Sequence, residues 1–112
     1  MPVPHAAVVW LDHWHALVAR REAGHRAVVG IDRDAEPVHD YLLRVARAAE
    51  DCDRVMILGP GDDRLEFEHE YATLYRRGDR LIDIELRLAA SNAELIDRLR
   101  LLEGDELALP AG

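Results

Sequence analysis

The chain has 112 residues, 49% of them apolar and 32% charged, which suits one globular domain with a real core and is too short for two. Its formal net charge is −8, and all 14 basic residues are arginine, because the sequence contains no lysine; it has no glutamine either. That acidity repels phosphate backbones and argues against nucleic acid as a partner. No apolar run approaches the roughly 20 residues of a membrane span, and "MPVPHAAVVW" lacks a basic secretory start, so no membrane association and a cytoplasmic location are expected.

The first three predicted elements are "AAVVWL", "ALVAR" and "RAVVGI", short β-branched segments separated by the polar "DHWH" and by "REAGH" with its turn-forming Gly24. They read as an antiparallel meander. A helix is predicted from Glu36 to Glu50, with Asp34 as N-cap, Pro37 in the first turn, and Val38, Tyr41, Leu42, Val45 and Ala49 on one face. Cys52 follows, the single cysteine, lying between Asp51 and Asp53 whose carboxylates disfavour a thiolate; it reads as a bystander. "RVMIL" is apolar throughout, the pattern of a central strand covered on both faces, and it ends at the turn "GPG".

A second helix is predicted from Asp62 to Arg77, carrying Phe67, Tyr71, Leu74 and Tyr75 at helical spacing and stopped by Gly78. "LIDIELRL" alternates as a strand with one wet face. That face, or another unpaired sheet edge, offers a seam along which two copies would form a homodimer. Ser91 and Glu94 form a capping box for a third helix through Leu102, stopped by Gly104. The small arginine groups, Arg20, Arg21 and Arg26 and then Arg76, Arg77 and Arg80, read as solvated strand ends or helix termini. The domain therefore spans 1–112, with a core over about 5–104 and a tail over 105–112. It is an α/β domain with a mixed sheet in the order β-β-β-α-β-α-β-α, the order of ribonuclease H-like folds.

The segments "AVVWLDHWHA" (Ala7 to Ala16) and "ILGPG" (Ile57 to Gly61), with Glu66 and Phe67 in the helix that follows, resemble small bacterial proteins related to the middle domain of archaeal and eukaryotic peptide-chain release factors and pelota. The resemblance extends from Ala7 to about Leu102. It implies a ribonuclease H-like fold and an association with translation, through a protein partner for which the ribosome is the expected setting. Release factors carry a Gly-Gly-Gln loop that promotes peptidyl-tRNA hydrolysis; this sequence has no glutamine and no paired glycines, so release by that loop is excluded. Arg64 stands where relatives commonly have a lysine after the glycine-rich turn, and the hairpin that is histidine-rich in relatives holds one histidine, His25.

Two chemistries are open in these residues. On a continuous strand, His13 and His15 would face one side as in strand-borne zinc sites, with His69, His39 or a distant carboxylate as third ligand. If "DHWH" is instead the turn between the first two strands, solvent explains its polarity, and this reading is preferred because nothing local supplies the third ligand. A magnesium-dependent nuclease of ribonuclease H type would use Asp12 at the end of the first strand, Asp62 or Asp63 after the fourth, and Glu94 or Asp97 on the last helix. Against it, an acidic pair after a tight turn is also what a helix N-terminus favours, and no basic surface is present to hold a nucleic acid. Trp10 is expected in the core. Trp14 is expected either in the core or exposed as a contact for a protein partner. The preferred function is a non-catalytic binding or regulatory module needing no cofactor, with Trp14 and Arg64 as its binding residues and the metal-dependent nuclease as the alternative.

Overall fold

The structure, a computed structural model, describes residues 5–60, 62–75, 81–86 and 90–104, the side chains of Asp63 and residues 82–86 excepted. Three strands come first, β1 (Ala6–Leu11), β2 (His15–Glu22) and β3 (His25–Asp32). They are followed by α1 (Val38–Arg47), β4 (Arg54–Gly59), α2 (Asp62–Tyr75), β5 (Leu81–Leu86) and α3 (Asn92–Leu102). The element order is the one that hydropathy and turn chemistry predict. The strands make one sheet in the order β3-β2-β1-β4-β5. β1, β2 and β3 are antiparallel neighbours, whereas β4 lies parallel to β1 and β5 parallel to β4. A meander continued by two helical crossovers in this order is the ribonuclease H-like arrangement.

Alternation along the central strands divides the interior into two cores. Ala7, Val9 and Leu11 of β1 and Val55 and Ile57 of β4 face α1 and α2, meeting Tyr41, Leu42, Val45, Phe67 and Tyr71. The intervening Val8, Trp10, Met56 and Leu58 face α3 and meet Leu95 and Leu99. All six β1 residues are buried, as expected of a strand covered on both faces. Each large side chain so buried contributes about 1.5–3 kcal/mol.

Two features differ from the sequence expectation, the start of α1 and the pairing of β5. α1 starts at Val38, and Pro37, not Asp34, is its N-cap, with extended ψ 147 and no side-chain capping bond. Asp34 sits one turn earlier at φ 52, and Glu36 is held by Arg33 and Arg44, so the chain turns into the helix only after the proline. In α2 the buried stripe is the expected one, Phe67 and Tyr71 with Tyr75 at its margin, and Leu74, though at helical spacing, is 42% exposed. Burial, and then the Glu50 carboxylate, push the Tyr75 phenol up to about 12. β5 shifts register against β4: Ile57 lies opposite Asp83 and Leu58 opposite Glu85, so the simple alternation of "LIDIEL" is interrupted. Gly78, the predicted stop of α2, and the expected continuation of β5 to Leu88 lie outside the described residues, as does the tail. The Ser91 capping box is present, with the Glu94 N–H donating to Ser91 Oγ at 3.2 Å and the Ser91 N–H to Glu94 Oε1 at 3.3 Å.

Candidate functional site at the carboxyl ends of β1 and β4

In open α/β sheets, ligands gather at the carboxyl ends of parallel strands where the chain order reverses. Here that place lies between β1 and β4. β4 leaves it through Gly59, which is buried at φ +143; a Cβ there would enter the van der Waals shell of the Leu11 carbonyl oxygen. The glycine thus lets the β4–α2 turn press against the end of β1.

β1 leaves the same place through Asp12, whose carboxylate builds the turn. Its Oδ1 accepts from the N–H groups of Trp14 and His15, each at 2.8 Å, and the Asp12 N–H donates to the His15 carbonyl at 3.0 Å. This is the side-chain-closed turn that Asp favours. "DHWH" is therefore a turn, and His15 is already the first residue of β2. Tyr41 of α1 supports it from below, its hydroxyl donating to the Asp12 carbonyl at 3.0 Å. Asp12→Ala is expected to cost about 1–2 kcal/mol in urea unfolding, because two turn amides lose their acceptor. A loss within experimental error would show that the turn stands without the carboxylate.

The tip of this turn carries an organised cluster. Trp14 is 62% exposed, in contrast to the buried Trp10. The Arg33 guanidinium lies over its ring at 5.2 Å, and the His13 ring meets it edge-on at 4.9 Å. Arg33 Nη1 donates to His13 Nε2 at 2.6 Å, Arg33 Nε to the Glu36 carbonyl at 2.9 Å, and the Arg33 N–H to the Trp14 carbonyl at 2.9 Å. The exposed indole is thus braced by a cation, an imidazole and its own backbone. Sequence reasoning placed Tyr41 on the apolar face of α1 and Glu36 at its start, but expected neither of them, nor Arg33, at this site. The one available signal was that a charged residue follows the apolar strand β3, and only the β2–β3 register brings that residue to Trp14.

The other sequence candidates are dispersed. His69 lies on α2, where with His39, Leu42, Leu65 and Glu70 it lines a groove of about 310 Å³ between α1 and α2, and His39 Nδ1 pairs with Glu70 Oε1 at 3.0 Å. Among the described residues no three His, Cys, Asp or Glu side chains converge as a metal-binding set, so His13, His15 and His69 are not brought together. Of the acidic candidates, Asp12 holds its turn, Asp62 opens α2 and is exposed, and Glu94 closes the α3 capping box while α3 packs on the opposite face of the sheet from α2. The Asp63 side chain lies outside the described residues. Asp97 is exposed on α3, 3.7 Å from Arg100. Arg64 is half-buried near the start of α2. Cys52 is buried in the core beside α1. Among the described residues no helix is long and apolar enough to cross a membrane.

Fold and site together define a ribonuclease H-like α/β domain whose projecting feature is an aromatic and cationic knob. Among solved structures it is similar to Pelota from Archaeoglobus fulgidus, at 12% identity and a TM-score of 0.67, over 92% of this chain and 33% of that one. It is likewise similar to the archaeal translation termination factor aRF1, at 13% identity and a TM-score of 0.62, over 93% and 35% of the two chains. A third is S. cerevisiae Dom34, at 10% identity and a TM-score of 0.58, over 88% and 34%; it is described as a translation termination-like factor involved in RNA quality control pathways and interacting with Hbs1. The chain spans about a third of the length of each. At these identities the likeness is one of fold, and it meets the resemblance expected from "AVVWLDHWHA" and "ILGPG". No family model and no curated protein matches the sequence.

Proposed function

We propose that this domain is a non-catalytic binding module of the translation machinery that engages a protein partner through the Trp14 knob. The observation that carries the reading is the exposed, braced indole. Tryptophan and arginine dominate binding hot spots, and a side chain already held in place loses little freedom on docking. The fold shared with Pelota, aRF1 and Dom34 supports the setting, and the interaction of Dom34 with Hbs1 supports a protein as partner. The net charge of −8 favours a protein surface over RNA. Arg64, near the start of α2, is the second proposed contact.

Co-sedimentation of the tagged protein with ribosomes from its own cell lysate, at low and moderate salt, tests this. The wild type is expected to co-migrate at both. Trp14→Ala is expected to lose about tenfold or more in recovery, with its urea stability within about 0.5 kcal/mol of wild type, since the side chain is mostly solvent-facing. Arg64→Ala is expected to weaken recovery less. A wild type that stays in the supernatant at both salts overturns the reading.

A further inference from the structure

The sheet ends on one side in β3, and among the described residues no strand pairs with its outer edge. Edges are usually blunted by lysine, proline, a bulge or brevity. β3 is eight residues long, contains neither lysine nor proline, carries its charges only towards its ends in Arg26 and Asp32, and pairs with β2 from His25 to Asp32 without a register shift. The opposite edge, β5, is shorter and carries the shift described above.

Which backbone groups of β3 point outward follows from the ladder. The Arg33 N–H bonds to the Trp14 carbonyl, and bonding alternates along an antiparallel pair, so residues 25, 27, 29 and 31 bond inward. Arg26, Val28, Gly30 and Asp32 turn their N–H and C=O groups outward. The Asp32 carbonyl agrees, since it accepts from the Arg44 side chain rather than from β2.

We infer that β3 pairs antiparallel with β3 of a second copy of this chain, with the two-fold axis passing between the two Val29 residues and extending the sheet across the dimer. A two-fold perpendicular to the sheet keeps each side chain on its own face, so a residue can oppose only one of like parity. With Val29 opposite itself, Val28 falls opposite Gly30 and Arg26 opposite Asp32. These are the outward-bonding residues: Val28 and Gly30 exchange both backbone bonds, and the Asp32 N–H meets the Arg26 carbonyl, while the Asp32 carbonyl, which already accepts from Arg44, takes the Arg26 N–H as a second donor. The side chains match as well. Val29 is 44% exposed, an apolar residue that gains a mate at the axis. Gly30, which is exposed, places no side chain against Val28. At each end the exposed carboxylate of Asp32, which among the described residues has no ion-pair partner, meets Arg26. The Nε of Arg26 is anchored on Glu103 at 2.8 Å, which fixes the position of its guanidinium. This pairing is independent of the translation reading.

Sedimentation equilibrium of the full chain from roughly 1 μM to 1 mM, the range in which edge pairing of modest area would register, tests it. The wild type is expected to pass from monomer to dimer mass. Val29→Glu, which sets two carboxylates face to face at the axis, is expected to weaken dimerisation about tenfold or more while leaving the circular dichroism and melting of the monomer unchanged. Asp32→Arg, which sets arginine against Arg26, is expected to weaken it as well. A wild type that remains monomeric throughout, or a dimer indifferent to both substitutions, overturns the inference.

Discussion

Gly59→Ala is expected to destabilise the domain by about 4 kcal/mol, a large share of the roughly 5–15 kcal/mol that holds such a domain together. Two costs combine. At φ +143 the backbone lies in a region that side-chain-bearing residues rarely adopt, and the added methyl would drive into the Leu11 carbonyl oxygen. Neither strand can retreat, because β1 and β4 are hydrogen-bonded neighbours buried on both faces. Gly24 separates the two costs. It has φ +84 in the β2–β3 turn, but a Cβ there meets nothing within 4 Å. Gly24→Ala is therefore expected to cost only about 1 kcal/mol, the conformational part alone. Urea unfolding of the two variants measures the difference, and equal losses would remove the close approach as a cause.

Glu103→Ala is expected to cost about 2–3 kcal/mol. The carboxylate sits at the C-cap of α3 with its side chain only 3% exposed, and it accepts from Arg21 Nε at 2.7 Å and Arg26 Nε at 2.8 Å. It ties the end of α3 to both strands of the β2–β3 hairpin. Breaking a buried ion pair costs about 3–5 kcal/mol when the remaining charge is stranded. Arg21 and Arg26 are 39% and 23% exposed, so water recovers part of that loss and the lower figure applies. Glu103→Gln keeps an acceptor and is expected to cost roughly half as much. Urea midpoints decide, and a loss below about 1 kcal/mol for the alanine variant would mean that the arginines rehydrate freely.

Which features were legible in the sequence follows from how far apart their partners lie. The Ser91–Glu94 capping box spans three residues, and the meander rests on period-two apolar segments punctuated by Gly24, so local chemistry specified both. The start of α1 was misplaced because Asp34 is a good capping residue by type, whereas the extended Pro37 decides where the helix begins. "DHWH" was ambiguous because His-x-His has the same spacing in a strand and in a turn. The Asp12 carboxylate settles it by bonding two amides that a continuous strand would have used in the ladder. Arg33 and Glu103 were out of reach. Arg33 meets Trp14 only through the pairing of β2 with β3, and Glu103 meets its arginines across most of the chain length.

The single thiol acquires a use from where it sits. Cys52 is 1% exposed, lodged with Tyr41, Val45 and Ile57 in the core beneath α1, and the chain has no second cysteine to compete with it. A thiol reagent can reach the sulfur only when the packing around it loosens, and the cavity of about 260 Å³ that Cys52 lines with His5, Arg20 and Asp51 is the short way in. In the regime where reclosing outpaces the reagent, the labelling rate becomes a gauge of how often the core beside that cavity opens, read without any engineered probe.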